Sequence, residues 1–142
     1  MDCSQLYIST VSAGCDETAA RYGLGLEIAE YCTAANLDAP IPKVVTAAQC
    51  HRQAAKRFVF HAPFNELCPA AIDPLAVSLA RHRYAQALAA AQDWGCRLLV
   101  VHTGFIPWVY YPEWFVEKSV EFWREFLPQV PEGMVLCLSL IH

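Results

Sequence analysis

Two apolar runs in this 142-residue sequence each stop at a histidine: FVFHAPF, Phe58–Phe64, and LLVVHTGF, Leu98–Phe105. Both are rich in β-branched and aromatic residues with no polar interruption. Runs of that kind fit strands of a parallel sheet, whose faces are covered, better than the alternating strands of a half-wet antiparallel one. Parallel neighbours cannot be joined by a tight turn and need crossover connections, usually helices. The two runs therefore restrict the chain to an α/β fold with helices between its strands.

The remaining sequence supplies those helices. QLYIS (Gln5–Ser9) predicts a short first strand, and SAGCDETAARYG a short helix capped at Asp16 and ending at Gly23. LGLEIAEYC (Leu24–Cys32) predicts a second strand, with Leu26 and Ile28 on one face and Gly25, Glu27 and Ala29 on the other. NLDAPIP reads as a loop, Val44–Ala55 as a helix, and RFVFH as the third strand. Asp73 is a good N-cap and Pro74 suits a first helical position. From there Ala76, Ala80, Tyr84, Ala87 and Ala91 recur at helical spacing, and Gly95 stands where a C-terminal glycine belongs. RLLVVH is the fourth strand. A helix from Pro112 carries Phe115, Ser119, Phe122 and Phe126 on one stripe and ends at Pro128, and MVLCL is the fifth strand. The order β-α-β-α-β-α-β-α-β implies parallel strands with right-handed crossovers. An open doubly wound sheet and a (β/α)8 barrel both fit it. The sequence has no G-x-G-x-x-G after its first strand and no Walker loop, which weakens the nucleotide-binding form of the open sheet.

Composition excludes several classes of function. The sequence is 56% hydrophobic and 17% charged, with a mean hydropathy of +0.26, too apolar for disorder. No uncharged apolar run approaches a membrane span. A formal net charge of −4 with scattered Arg and Lys argues against nucleic acid as a partner. The seven cysteines include no C-x-x-C pair, and the amino-terminal residues have no signal-peptide pattern, so a reduced, cytoplasmic protein is expected, with most cysteines acting as small buried hydrophobes.

In parallel α/β folds the functional face lies at the carboxyl ends of the strands. His61 and His102 both fall there, and two neutral imidazoles from different strands can converge on one ion or one substrate. The loop after strand three would bring Asn65 and Glu66 to the same face. The loop after strand four would bring Thr103 and the aromatic run FIPWVYYP, which contains Trp108. Glu27 would point into a barrel interior, while Glu30 fits a solvent-facing position equally well. No pair has the tight spacing of a metal motif such as H-E-x-x-H.

The segments GLEIAEYC, FVFHAPFNELCPAAIDP, LLVVHTGF and SVEFWREFL together resemble the sugar phosphate isomerase/epimerase family. These are xylose isomerase-like TIM barrels whose superfamily also holds the endonuclease-IV-type nucleases. The resemblance implies a partial (β/α)8 barrel with the first five strands and four helices. Residues 1–142 would form a single incomplete domain, truncated after residue 138. It implies a divalent metal (zinc, manganese or magnesium), with His61 and His102 as candidate ligands. It also implies a small sugar or sugar phosphate substrate, and proton transfer next to a carbonyl. Glu27, His61 and His102 become the catalytic candidates, and Asn65, Glu66, Thr103 and Trp108 the substrate-binding ones. Where the family typically has Glu-Asn after its fifth strand, this sequence has Ser139 and Leu140, and it ends at His142, a poor scaffold for a ligand. The chain as given is therefore expected to hold metal weakly and to be inactive. The alternatives are a metal phosphodiesterase of the endonuclease-IV type and a non-catalytic half-barrel that self-associates through open sheet edges.

Overall fold

The structure is a computed structural model that describes residues 3–139. Its centre is one parallel sheet of five strands: β1 (Tyr7–Ser9), β2 (Gly25–Ile28), β3 (Phe58–His61), β4 (Leu98–His102) and β5 (Val135–Ser139). The helices are α1 (Cys15–Tyr22), α2 (Ala35–Asp38), α3 (Pro42–Ala54), α4 (Pro74–Asp93) and α5 (Pro112–Phe126), with 3₁₀ turns at Glu30–Cys32 and Leu127–Gln129. No helix among the described residues is long and apolar enough to cross a membrane.

Strand order decides between the two candidate architectures. The strands lie in the sheet in chain order, β1-β2-β3-β4-β5, each parallel to the next. A doubly wound sheet reverses direction at a switch point and puts helices on both faces. Successive right-handed crossovers in one direction put every helix on the same face. That is barrel winding, and the fold is a five-stranded part of a (β/α)8 barrel.

The core sits between the sheet and its helices. Leu26, Ile28, Phe60, Leu99 and Val101 are fully buried there against Tyr84, Ala87 and Ala91 of α4 and Phe122 and Phe126 of α5. Side chains alternate across a strand, so Tyr7, Ser9, Glu27, Val59, His61, Val100 and His102 belong to the opposite, inner face. The helix ends follow from local chemistry. Asp73 Oδ1 accepts the Leu75 N–H at 2.8 Å with Pro74 beside it, and Gly95, at φ 67°, closes α4 in the left-handed conformation. The α5 stripe buries Phe115, Phe122 and Phe126, as its spacing predicts.

Several expectations are corrected. The second strand stops at Ile28, and Glu30–Cys32 turns away as a 3₁₀ turn because the Ala29 N–H donates to Thr10 Oγ1 at 3.0 Å instead of continuing the ladder. The start of the expected loop, Asn36–Asp38, belongs to a single helical turn, Ala35–Asp38. Asp16 does not cap α1: Gly14, at φ 71°, takes that position, and Asp16 lies in the first turn. All seven cysteines are free thiols, but only Cys15 and Cys96 are buried. Leu140 and His142 lie outside the described residues.

Candidate active site

His61 and His102 close the third and fourth strands on the inner face, and their rings meet. The two Nε2 atoms are 3.1 Å apart and the ring centroids 4.9 Å apart. Phe64, three residues beyond His61, stacks on His102 at 4.6 Å and 17° and meets His61 edge-on. The strands place both histidines, and the Pro63–Phe64 step folds an aromatic cover over them.

Hydrogen bonding fixes the protons. His61 Nδ1 is 2.8 Å from the Ala62 carbonyl, which only accepts, so Nδ1 carries a hydrogen. In the neutral ring the Nε2 lone pair then faces His102, and His102 Nε2–H donates to it. Cys32 Sγ lies 3.2 Å from the same His61 Nδ1. Burial first, then the charges of Glu27 and Glu30, push the Cys32 thiol up to about 12, so it sits there as a thiol and not as a nucleophilic thiolate. Its influence on Cys32 places the Glu27 carboxylate near this group, half-buried on the inner face.

The other predicted residues divide. Asn65 and Glu66 border a cleft of about 490 Å³ that includes Phe64 and Tyr110, next to the histidine pair. Glu66 and Trp108 are the only non-glycine residues with positive φ among the described residues, 58° and 69°. Left-handed backbone costs such residues roughly 1–2 kcal/mol each. Strain of this kind clusters at functional loops, and both residues sit on the loops at the carboxyl face. The Trp108 side chain is fully exposed. Thr103 is not brought into the group. It is buried, its Oγ1 accepts the Phe105 N–H at 3.2 Å, and it lines a larger apolar cleft of about 660 Å³ beside α5 and Leu138, on the helix side of the sheet.

Gly104 makes the two loops fit. It has φ 70°, and a Cβ there would lie 2.5 Å from the Leu67 carbonyl oxygen and 2.9 Å from Cys68 Cα. The loop after β4 can press on the loop after β3 only because that atom is missing.

Sequence reasoning missed a second polar group. Glu30, for which a solvent-facing position fitted equally well, is 17% exposed; its Oε1 accepts from His51 Nε2 at 3.0 Å and its Oε2 from Thr10 Oγ1 at 2.9 Å. His51 Nδ1 is 2.7 Å from Asp16 Oδ1. A lone histidine in the middle of AAQCHRQAA gives no local sign of this.

A resident metal would need more donors than this group offers. Two imidazole nitrogens 3.1 Å apart could share an ion. No third donor among the described residues joins them, however, and the only cluster of three potential ligands there is Cys15, Asp16 and His51, elsewhere in the fold. The described donors fall short of the three protein ligands usual in a catalytic zinc site, so they do not fit a resident metal by themselves.

Winding and site position together define a part of a (β/α)8 barrel that carries its polar group at the carboxyl ends of the strands. Solved structures of similar fold include two described as sugar 3-epimerases or like them. One is a D-tagatose 3-epimerase-like protein (TM-score 0.69, 21% identity, 94% of this chain and 51% of that one). A second is D-psicose 3-epimerase from Clostridium cellulolyticum with D-tagatose (0.68, 19%, 96% and 49%). A third is the TTHB071 protein of Thermus thermophilus soaked with zinc chloride (0.63, 22%, 99% and 57%). The chain spans about half the length of these structures. No family model and no curated protein matches the sequence.

Proposed function

We propose that this chain forms the part of a sugar isomerase/epimerase-type barrel that grips a small ketose or its phosphate, with His61 and His102 as the gripping pair. The observation that carries this reading is the 3.1 Å contact between Nε2 atoms on the inner carboxyl face. His61 offers a lone pair and His102 an N–H, separated by one hydrogen bond. A sugar hydroxyl both donates and accepts, so it can enter between the rings and replace that bond with two. Phe64 supplies an apolar face beside it, and Asn65, Glu66 and Trp108 extend from the flanking loops.

Glu27 is the base we assign to proton transfer. Its carboxylate would take the proton from the carbon next to the ketose carbonyl. The C–H electron pair moves into an enediolate, and the proton returns to carbon to complete epimerisation or isomerisation. Two nitrogens are a weak hold for a divalent metal, so the chain alone is expected to bind zinc or manganese loosely and to turn over little ketose. The reading predicts that D-tagatose moves the ring resonances of His61 and His102 in a ¹⁵N-labelled sample, and that dialysis leaves far less than one metal per chain. Unmoved histidine resonances at high sugar concentration would overturn it, as would stoichiometric metal retained with full turnover.

A second reading has its own observation. β1 and β5 are sheet edges among the described residues. Along the β5 edge Val116, Val120, Leu127 and Leu138 all expose apolar surface around the 660 Å³ cleft. Open edges and apolar faces of this kind favour pairing, and a second copy of the chain presents the same surfaces. Light scattering at micromolar concentration is then expected to give a dimer or larger species; a monodisperse monomer contradicts it.

A further inference from the structure

The Asp16–His51–Glu30 group belongs to no step described above, although it encloses a buried histidine. The His51 side chain is 6% exposed and lies between two carboxylates, Asp16 at 2.7 Å from Nδ1 and Glu30 at 3.0 Å from Nε2. Carboxylate oxygens accept, so both ring nitrogens carry hydrogen and the ring is an imidazolium. Cys15 Sγ is close enough to complete a three-ligand cluster, but the cluster does not suit a metal. Both nitrogens are already donating, the thiol faces the Thr10 carbonyl, and burial together with the Asp16 charge pushes that thiol up. What remains is an ionic clasp joining α3, α1 and the turn after β2.

That turn leads to the site. Glu30 is held at three atoms: Oε1 by His51, Oε2 by Thr10, and its backbone carbonyl by Asn36 Nδ2 at 2.7 Å. Two residues on, Cys32 touches His61 Nδ1. The turn thus has a fastened end and a working end.

We propose that His51 is a positioning residue, a protonated clasp that fastens the Glu30–Cys32 turn and holds Cys32 as the side wall of the His61–His102 pair. Loss of the His51 proton leaves Asp16 and Glu30 facing each other across a neutral ring that can donate to only one of them. The turn then loosens, the Cys32 thiol gains water, and His61 loses a neighbour. The groups facing His51 are Cys15 and Asp16 from α1 and Glu30 from the turn; on its own helix Arg52 points away to Asp93. Burial opposes a charge on His51, but the two carboxylates outweigh it and its pKa is raised above 6.5. The clasp is therefore closed below that raised value and opens as pH rises through it.

The inference uses the geometry of the proposed sugar site but not its chemistry, and its test involves no sugar, so either can fail alone. The full chain is titrated from about pH 6 to 9, with ¹⁵N spectra of the imidazoles and iodoacetamide labelling of Cys32 read against exposed Cys50. The expected result is a His51 doubly protonated at the acid end of the range, with a midpoint above the ordinary 6.5. The Cys32:Cys50 labelling ratio should stay flat and then rise at least about tenfold across the His51 midpoint, the change due when one unit of thiol pKa shift is relieved. His51→Gln should show the high ratio at every pH, with a changed His61 ring signal, and Glu30→Gln should lower the His51 midpoint. A His51 that titrates at its ordinary value, or a labelling ratio indifferent to its titration, overturns the proposal. The unsubstituted chain decides this even if His51→Gln does not fold.

Discussion

Phe60 and His61 are neighbours in β3 whose side chains point to opposite faces of the sheet, and they obey different rules. Phe60 is fully buried against the helices, in a layer with Leu26, Ile28, Leu99 and Val101. His61 is half-buried on the inner face with Glu27, Cys32 and His102, and its ring nitrogens meet Cys32, the Ala62 carbonyl and His102. One face accounts for the stability of the sheet. The other holds titratable groups at contact distance, which stability alone does not call for. A barrel wound in one direction produces this division, because all of its crossover helices cover the same face.

The largest effect should come from the covered face. Phe60→Ala is expected to cost about 3–5 kcal/mol, the usual range for a truncated core aromatic. His61→Ala should cost about 1 kcal/mol, the scale of one net hydrogen bond. Denaturant unfolding measures both, and equal losses would break the comparison. Gly104→Ala attacks the junction of the two loops instead. A left-handed φ and a Cβ against backbone atoms should cost roughly 2–4 kcal/mol and should disturb the Phe64–His102 stack, visible as altered ring shifts.

His51→Gln should cost roughly 2–3 kcal/mol, below the figure for a fully buried broken pair because both carboxylates are partly wet. Its pH signature is more specific. The folded pKa is raised above the ordinary 6.5, so the clasp's contribution is complete below about pH 6.5 and disappears as pH rises through the folded value. Unfolding free energy in the unsubstituted chain should fall over that window, and in His51→Gln it should not. Tyr84→Phe sharpens the comparison on a smaller scale. The Tyr84 hydroxyl donates to the His102 carbonyl at 3.0 Å and ties α4 to the site through backbone. Losing it should cost about 1–2 kcal/mol and leave the two imidazoles in contact. Least affected should be the outer edge, where Leu138→Lys changes stability by less than about 0.5 kcal/mol while reducing any self-association seen by light scattering.

The legible parts of the fold were those set by local chemistry. Asp73–Pro74 and Gly95 bound α4, the phenylalanine stripe orients α5, and two apolar runs ending in histidine mark the carboxyl face. The illegible parts depend on distant partners. EIAEYC has the composition of a continuing strand, and it turns only because Thr10 takes the Ala29 N–H and His51 takes the Glu30 carboxylate. Thr103 stands at the right place in sequence for a substrate contact, yet its hydroxyl closes a turn with Phe105 two residues on. Strand order, which separated barrel from open sheet, is a property of pairing that no single segment carries.

The most direct test of the inner face as a built site is the proton arrangement of its two histidines. Long-range ¹H–¹⁵N correlation spectra near neutral pH should show His61 protonated at Nδ1 and bare at Nε2. His102 should be protonated at Nε2, with a nitrogen–nitrogen coupling across the bond between them. If His61 instead carries its hydrogen on Nε2 and no coupling is seen, two donors face each other, the rings do not form a pair, and the account of the site is contradicted.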